Sequence, residues 1–263
     1  MLVCDGMTTS KIGACFSRTP IDSLTTLNQI RIVLCQTGHP GNIGSTARAM
    51  KTMGLSHLCL VNPRSFPHAD AHMMSAGATD ILEAAQVCTS LHEALAGCNL
   101  VIGMTARKRE LSHQSCSPRE AAALAIASGQ QVALVFGNET SGLSNDELIL
   151  CQQLVHIPAN PDFSSLNLAS AVQIMAYELR MALLGAPETV EHPNPYRRIK
   201  PATHEEVEGF YGHLEQTLVH VGYLNPEQPK RLMSRLRRLF TRAGLHQEEV
   251  NILRGILQSV RDK

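Results

Sequence analysis

Regular alternation of strand-like and helix-like segments across residues 30–185 predicts an α/β domain, a mostly parallel sheet with helices on both faces. Two observations carry the prediction. Short apolar, β-branched runs recur at Ile30–Cys35, His57–Val61, Leu100–Met104, 131–136 and 154–157, each of strand length and too short for a buried helix. Between them stand helix-starting capping boxes, in which a serine accepts from a backbone N–H three residues on and a glutamate there reaches back. Ser90 with Glu93, Ser117 with Glu120 and Ser144 with Glu147 fit that pattern.

Taken in order, residues 1–27 lack sustained periodicity and are rich in Thr, Ser and Gly, which predicts a disordered arm. Met7 is an alternative start. The α/β domain is expected over 28–185. Its first strand leads into QTGHPGNIGSTARAMKTMG, read as a helix capped by Asn42 and stopped by Gly54. Ile43, Ala47 and Met50 share one face of it, while Gly44 and Arg48 lie one turn apart on another. A glycine beneath an arginine predicts a gap for a substrate, although helical spacing alone favours an ordinary surface arginine at Arg48. A strand and Asn62-Pro63 follow, then the Ser90 helix, then Leu100–Met104. Pro118 at the first helical position begins an alanine-rich helix that runs to Gly129. The last helix of the domain is expected over 168–184.

Residues 186–202 hold four prolines, Pro187, Pro193, Pro195 and Pro201, and read as a linker. A small helical domain is expected over 203–263. Thr203 with Glu206 caps its first helix, with Val207, Phe210, Tyr211, Leu214, Leu218 and Val221 on one face. A second helix, 230–242, carries Arg231, Arg235, Arg238 and Arg242 as a single stripe, and no acid lies between Glu227 and Glu248. Four arginines without acidic partners point to nucleic acid, against the alternative of a solvated face. A third helix is expected over 248–260.

The 263 residues are 44% apolar, so a sizeable core can form. Twenty-three basic and 23 acidic residues cancel, which leaves an RNA partner open, because charge can be sorted locally. Eight cysteines form no CxxC pair, which argues against a zinc site and a secreted disulfide framework. No run approaches a membrane span, and a reducing, cytoplasmic setting is expected. Neither GxxxxGK[ST] nor GxGxxG occurs, which disfavours a P-loop enzyme and a nucleotide-dependent oxidoreductase.

The stretch VFGNETSGLSNDE is the centre of the chain. An apolar run stops at Gly137, and Gly137 and Gly142 bracket Asn138, Glu139, Thr140 and Ser141. Such loops at the carboxyl ends of parallel strands are where α/β proteins hold ligands. Thr105-Ala106-Arg107-Lys108-Arg109, at the end of another strand, reads as a phosphate-seeking group that includes Arg107 and Arg109, or else as a solvated loop.

NIGSTARAMKTMG, VFGNETSGLSNDEL and IPANPDFSSLNLASAVQ resemble the three signature segments of the SPOUT superfamily of RNA methyltransferases. VNP after the second strand, with FYGHLEQTL and RLRRLFTRA in the tail, is similar to a branch that methylates the ribose 2′-oxygen of nucleotide 32, C or U, in the tRNA anticodon loop. The resemblance covers about residue 28 to the end. It implies a trefoil-knotted fold, S-adenosylmethionine as methyl donor, tRNA as substrate, a homodimer and no metal. It places the donor against Met104, Thr105, Ala106, Gly137, Ile157, Ser164, Ser165 and Leu166, mainly through backbone groups. It makes Arg48 the catalytic arginine of the motif NxGxxxR, with Glu139 and Asn167 beside it. Two roles are open to Arg48. Taking the ribose proton itself would require deprotonation against a pKa above 12, at roughly 8 kcal/mol near pH 7. Orienting the hydroxyl and a phosphate while stabilising the alkoxide is cheaper. Ser165 and Asn167 are expected to brace the loops, and Glu139 to orient Arg48 or a backbone group. A module that keeps this fold without turnover is the competing class.

Overall fold

The computed structural model describes residues 27–106, 115–185 and 200–262. Among these residues seven strands form one sheet in the order β3-β2-β1-β6-β4-β7-β5. They are β1 (Ile30–Cys35), β2 (His57–Val61), β3 (Gln86–Cys88), β4 (Leu100–Met104), β5 (Ser115–Cys116), β6 (Val132–Phe136) and β7 (Gln153–Val155). Every pairing is parallel. A parallel sheet needs cover on both faces, which is why its central strands read as unbroken apolar runs; all five residues of β6 are buried.

Side-chain alternation divides the core in two. Ile30, Ile32 and Leu34 of β1 join Val132, Leu134 and Phe136 of β6 under α1 (Pro40–Met53), α2 (Ala69–Ser75), α3 (Thr79–Glu83), α5 (Pro118–Ser128) and α7 (Leu168–Gly185). Val33, Cys35, Ala133 and Val135 face the other way, under α4 (Leu91–Ala94) and α6 (Asn145–Ile149). Helices on both faces were the expectation. The capping boxes at Ser117 and Ser144 form as read; Ser90 accepts from Glu93 N, but Glu93 reaches back to Thr89 N at 2.8 Å and not to Ser90. Gly54 ends α1 with φ 84°. β4 and β5 are consecutive in the chain yet sit on opposite sides of β7: Leu154 pairs with Gly103 on one side and Ser115 on the other. β7 is therefore inserted between two strands that precede it.

Three readings are corrected. Asn42 does not cap α1; the cap position is His39, without a side-chain bond, and Pro40 takes the first turn. Gly44 opens no gap for a substrate. A side chain there would collide with the Ala71 carbonyl of α2, so the missing Cβ lets two helices approach. The strand expected over 154–157 is shorter and earlier, Gln153–Val155.

The tail comprises α8 (His204–His220), α9 (Leu232–Ala243) and α10 (Gln247–Arg261). Phe210, Tyr211, Leu214 and Val250 form its core, with Phe240 edge-on to Phe210 at 4.9 Å between centroids. Arg237 turns inward, pairs with Glu208 and lies 4.4 Å over the Tyr211 ring. Arg231, Arg235, Arg238 and Arg242 are exposed.

The tail is seated on the loop before β4. Cys98 O accepts from His204 N at 2.9 Å, Glu205 Oε1 from Gly97 N at 2.8 Å, and Pro201 O from Asn99 Nδ2 at 3.3 Å. Arg31 steadies that loop by donating to Ala94 O at 2.6 Å and Ala96 O at 3.1 Å. His92 Nδ1 and His204 Nε2 stand 3.2 Å apart across the joint. Burial holds the His204 pKa below the ordinary histidine range; Glu208 and Glu205 pull it up, while His92 and Arg237 push it down. The undocked state thus binds more protons near pH 6, and docking weakens as pH falls from about 6.5 toward the folded value. Thermal melts of the wild type should lose more stability than those of His204→Gln between about pH 7.5 and 5.5. Parallel losses would remove His204 from the effect.

Candidate active site

The carboxyl ends of β4 and β6 and the segment after β7 converge on a cavity of about 280 Å³. All eight residues expected at the donor line it: Met104, Thr105 and Ala106 after β4, Gly137 after β6, and Ile157, Ser164, Ser165 and Leu166 after β7. Glu139 lines it as well, and Phe136, Leu143 and Leu168 add an apolar floor. Gly137 is required where it stands. A Cβ there would collide with Gly142 and the Leu143 nitrogen, because the loop folds back on itself. Asn138 fastens that fold. Its backbone O accepts from Gly142 N at 2.8 Å, its Oδ1 from Thr140 N at 2.9 Å, and its Nδ2 donates to Gln36 O at 2.7 Å. Thr105 N donates to Val155 O at 2.9 Å, extending the β4–β7 ladder into the cavity wall.

A polar relay joins this wall to α1. Glu139 Oε2 accepts from Gly38 N at 2.9 Å. Its Oε1 accepts from Asn42 Nδ2 at 2.9 Å and from His39 N at 3.3 Å. The carboxylate therefore sits at the N-terminus of α1, where negative charge is favoured. Burial raises the Glu139 pKa, but the bonds from Gly38, Asn42 and His39 outweigh it and hold the carboxyl below its usual range. Asn42 Oδ1 accepts from Asn167 Nδ2 at 3.0 Å, and Asn167 Oδ1 accepts from Ala169 N at 2.9 Å in the first turn of α7. Of the two partners foreseen for Glu139, the structure gives it backbone, not Arg48. Ser165 makes no hydrogen bond to a described residue.

Arg48 is exposed on α1, outside the cavity lining, with no hydrogen bond or ion pair among the described residues. Ile43, Ala47 and Met50, all fully buried, fix the helix that carries it. Arg107 and Arg109 lie outside the described residues. The linking function of Asn42 escaped the sequence reading; its partners lie 97 and 125 positions away. Among the described residues no cluster of three His, Cys, Asp or Glu could hold a metal ion, and no helix is long and apolar enough to cross a membrane.

The SpoU rRNA Methylase family matches residues 29–177, and the C-terminal domain of tRNA methyltransferase TrmJ matches residues 205–263. The tRNA (cytidine/uridine/adenosine-2′-O-)-methyltransferase TrmJ of Pseudomonas aeruginosa is 52% identical over 240 residues, 88% of this chain and 93% of that one. This chain belongs to the TrmJ family of methyltransferases. The tRNA (cytidine/uridine-2′-O-)-methyltransferase TrmJ of Klebsiella pneumoniae is 51% identical over 90% of this chain and 98% of its own. The crystal structure of TrmJ from Z. mobilis superposes with a TM-score of 0.76 at 35% identity, covering 88% of this chain and 98% of that one. A probable methylase family protein from Haemophilus influenzae gives 0.61 at 44% identity, with 90% and 97% covered. The parallel sheet, with β7 between β4 and β5, is consistent with the trefoil-knot fold of SPOUT methyltransferases.

Proposed function

We propose that this chain methylates the ribose 2′-oxygen of nucleotide 32, C or U, in the anticodon loop of tRNA, with S-adenosylmethionine as donor and as a homodimer. The observation that carries the reading is the convergence of three separated loops on one cavity, tied through Glu139, Asn42 and Asn167 to the helix bearing Arg48. The cavity suits a donor that is part apolar and part cationic. Its floor is Phe136, Leu143 and Leu168, and the ionised Glu139 is on its wall. Bound there, S-adenosylmethionine would supply an electrophilic methyl group on a sulfonium. Met104, Thr105 and Ala106, Gly137, Ile157, and Ser164, Ser165 and Leu166 would hold it. Arg48 orients the ribose hydroxyl with its neighbouring phosphate and stabilises the oxyanion as the proton leaves. Glu139 and Asn167 fix that geometry from behind.

Exposed apolar side chains support pairing. Tyr177, Met181 and Leu184 make one stripe on α7, and Met73 and Met74 stand on α2. Mapping 2′-O-methyl positions in tRNA from cells with and without this protein tests the reading; unchanged methylation at nucleotide 32 would overturn it. Arg107, Arg109 and the tail arginines are assigned to tRNA phosphates. Replacing Arg235, Arg238 and Arg242 together by Ala should weaken tRNA binding and lower the salt slope of log K by about 2 to 3. Filter binding across a salt series measures it. An unmoved slope would leave the stripe a solvated face.

A further inference from the structure

Phe163 lies on the turn that leads into Ser164, Ser165 and Leu166, the third wall of the cavity. Its side chain is 79% exposed. The other described phenylalanines, Phe66, Phe136, Phe210 and Phe240, are buried or half-buried. A single exposed apolar residue is ordinary on a protein surface, but this one stands on a hydrogen-bonded turn beside the cavity wall. Phe163 N donates to Asn160 O at 3.0 Å, and Asn160 Oδ1 accepts from Asp162 N at 3.1 Å. This Asx turn orders the backbone that carries Phe163. Leu166, 38% exposed, extends the apolar rim on the cavity side.

The ring does not line the cavity, so the molecule it meets arrives from solvent and not from within. A nucleotide whose ribose is to reach the cavity must leave the stack of its loop, and its base then needs a new apolar face. Single-stranded RNA loops are recognised in this way, with splayed bases stacked on aromatic side chains. Resting on the function proposed above, we infer that the Phe163 ring stacks on the base of the nucleotide being methylated and positions its ribose over the cavity. Every base offers a π-face, so the contact holds the nucleotide without choosing its identity. Phe163 is then a substrate-positioning residue with no part in donor binding.

The chain contains no tryptophan, so Phe163→Trp in the full-length protein reports on this position alone. Its fluorescence should be quenched by unmodified tRNA, much less by tRNA abasic at the methylated nucleotide, and not by S-adenosylmethionine. Phe163→Ala should weaken tRNA binding roughly ten- to a hundredfold, with donor affinity by calorimetry unchanged and Phe163→Tyr recovering most of the loss. Quenching by S-adenosylmethionine alone, or wild-type tRNA affinity in Phe163→Ala, would overturn the stacking while wild-type methyl transfer left the functional reading standing. Absence of methyl transfer by the wild type would overturn that reading, and the stacking with it.

Discussion

Replacing Arg48 by Ala should reduce methyl transfer to tRNA by about 10²–10³ or more while sparing S-adenosylmethionine binding. The first half follows from the role assigned to the guanidinium. A preorganised donor aimed at a developing oxyanion is worth about that factor when removed. The second half follows from position: Arg48 is exposed and outside the cavity lining, so no donor contact is lost. Folding should survive, because α1 is held by Ile43, Ala47 and Met50 on its buried face. Arg48→Lys should recover little, since an ammonium cannot present the planar fork that serves a hydroxyl and a phosphate together. Calorimetry with the donor beside tritium transfer to unmodified tRNA decides the matter. Near-normal transfer by Arg48→Ala would take the residue out of the mechanism.

How legible the site was depended on the range of the interactions. β1, β2, β4 and β6 could be read because a strand buried on both faces must be apolar throughout, as Val132–Phe136 is. The caps at Ser117, Ser144 and Thr203 could be read because their bonds close within three residues. β3 and β5, at three and two residues, are too short to carry a period. The cap of α2 went unnoticed because His68, an unusual capping residue, accepts from Asp70 N. Asn42 misled for a physical reason. Asparagine before a helix ordinarily caps it, but here the anion at the helix N-terminus arrives on Glu139, from a loop 97 positions away. No periodicity encodes that meeting. The knot and the grouping of the eight cavity residues were likewise invisible to spacing and entered through family resemblance, and the insertion of β7 between β4 and β5 came only with the structure. Backbone that lines a ligand site leaves little side-chain pattern to read, apart from glycines such as Gly137.

The relay at Glu139 sets up the second large effect. Glu139→Gln is nearly isosteric, yet it should raise the donor's dissociation constant and lower kcat together. One oxygen can still accept, but the new NH₂ group must face a donor, Gly38 N on one side or His39 N and Asn42 Nδ2 on the other. Hydrogen bonds to a charged group are worth about 1.5–3 kcal/mol each, less where water reaches them. A combined loss of about 2–3 kcal/mol at this half-buried site is the expected scale. It falls on two elements at once, the 137–143 loop that walls the cavity and the start of α1 that carries Arg48. The sign of the pH dependence follows from the depressed pKa. The stabilisation is complete above the unfolded value, about 4.3, and is lost as pH falls through the lower folded value. At neutral pH the wild type therefore keeps all of it, and the variant deficit should shrink only under acid conditions. Asn42→Ala tests the same link from the other side. A double-mutant cycle between Glu139 and Asn42, read in urea unfolding and in donor affinity, should give a coupling of about 0.5–3 kcal/mol. Additive effects would mean that the two loops are held independently, and that Arg48 takes its position from α1 packing alone.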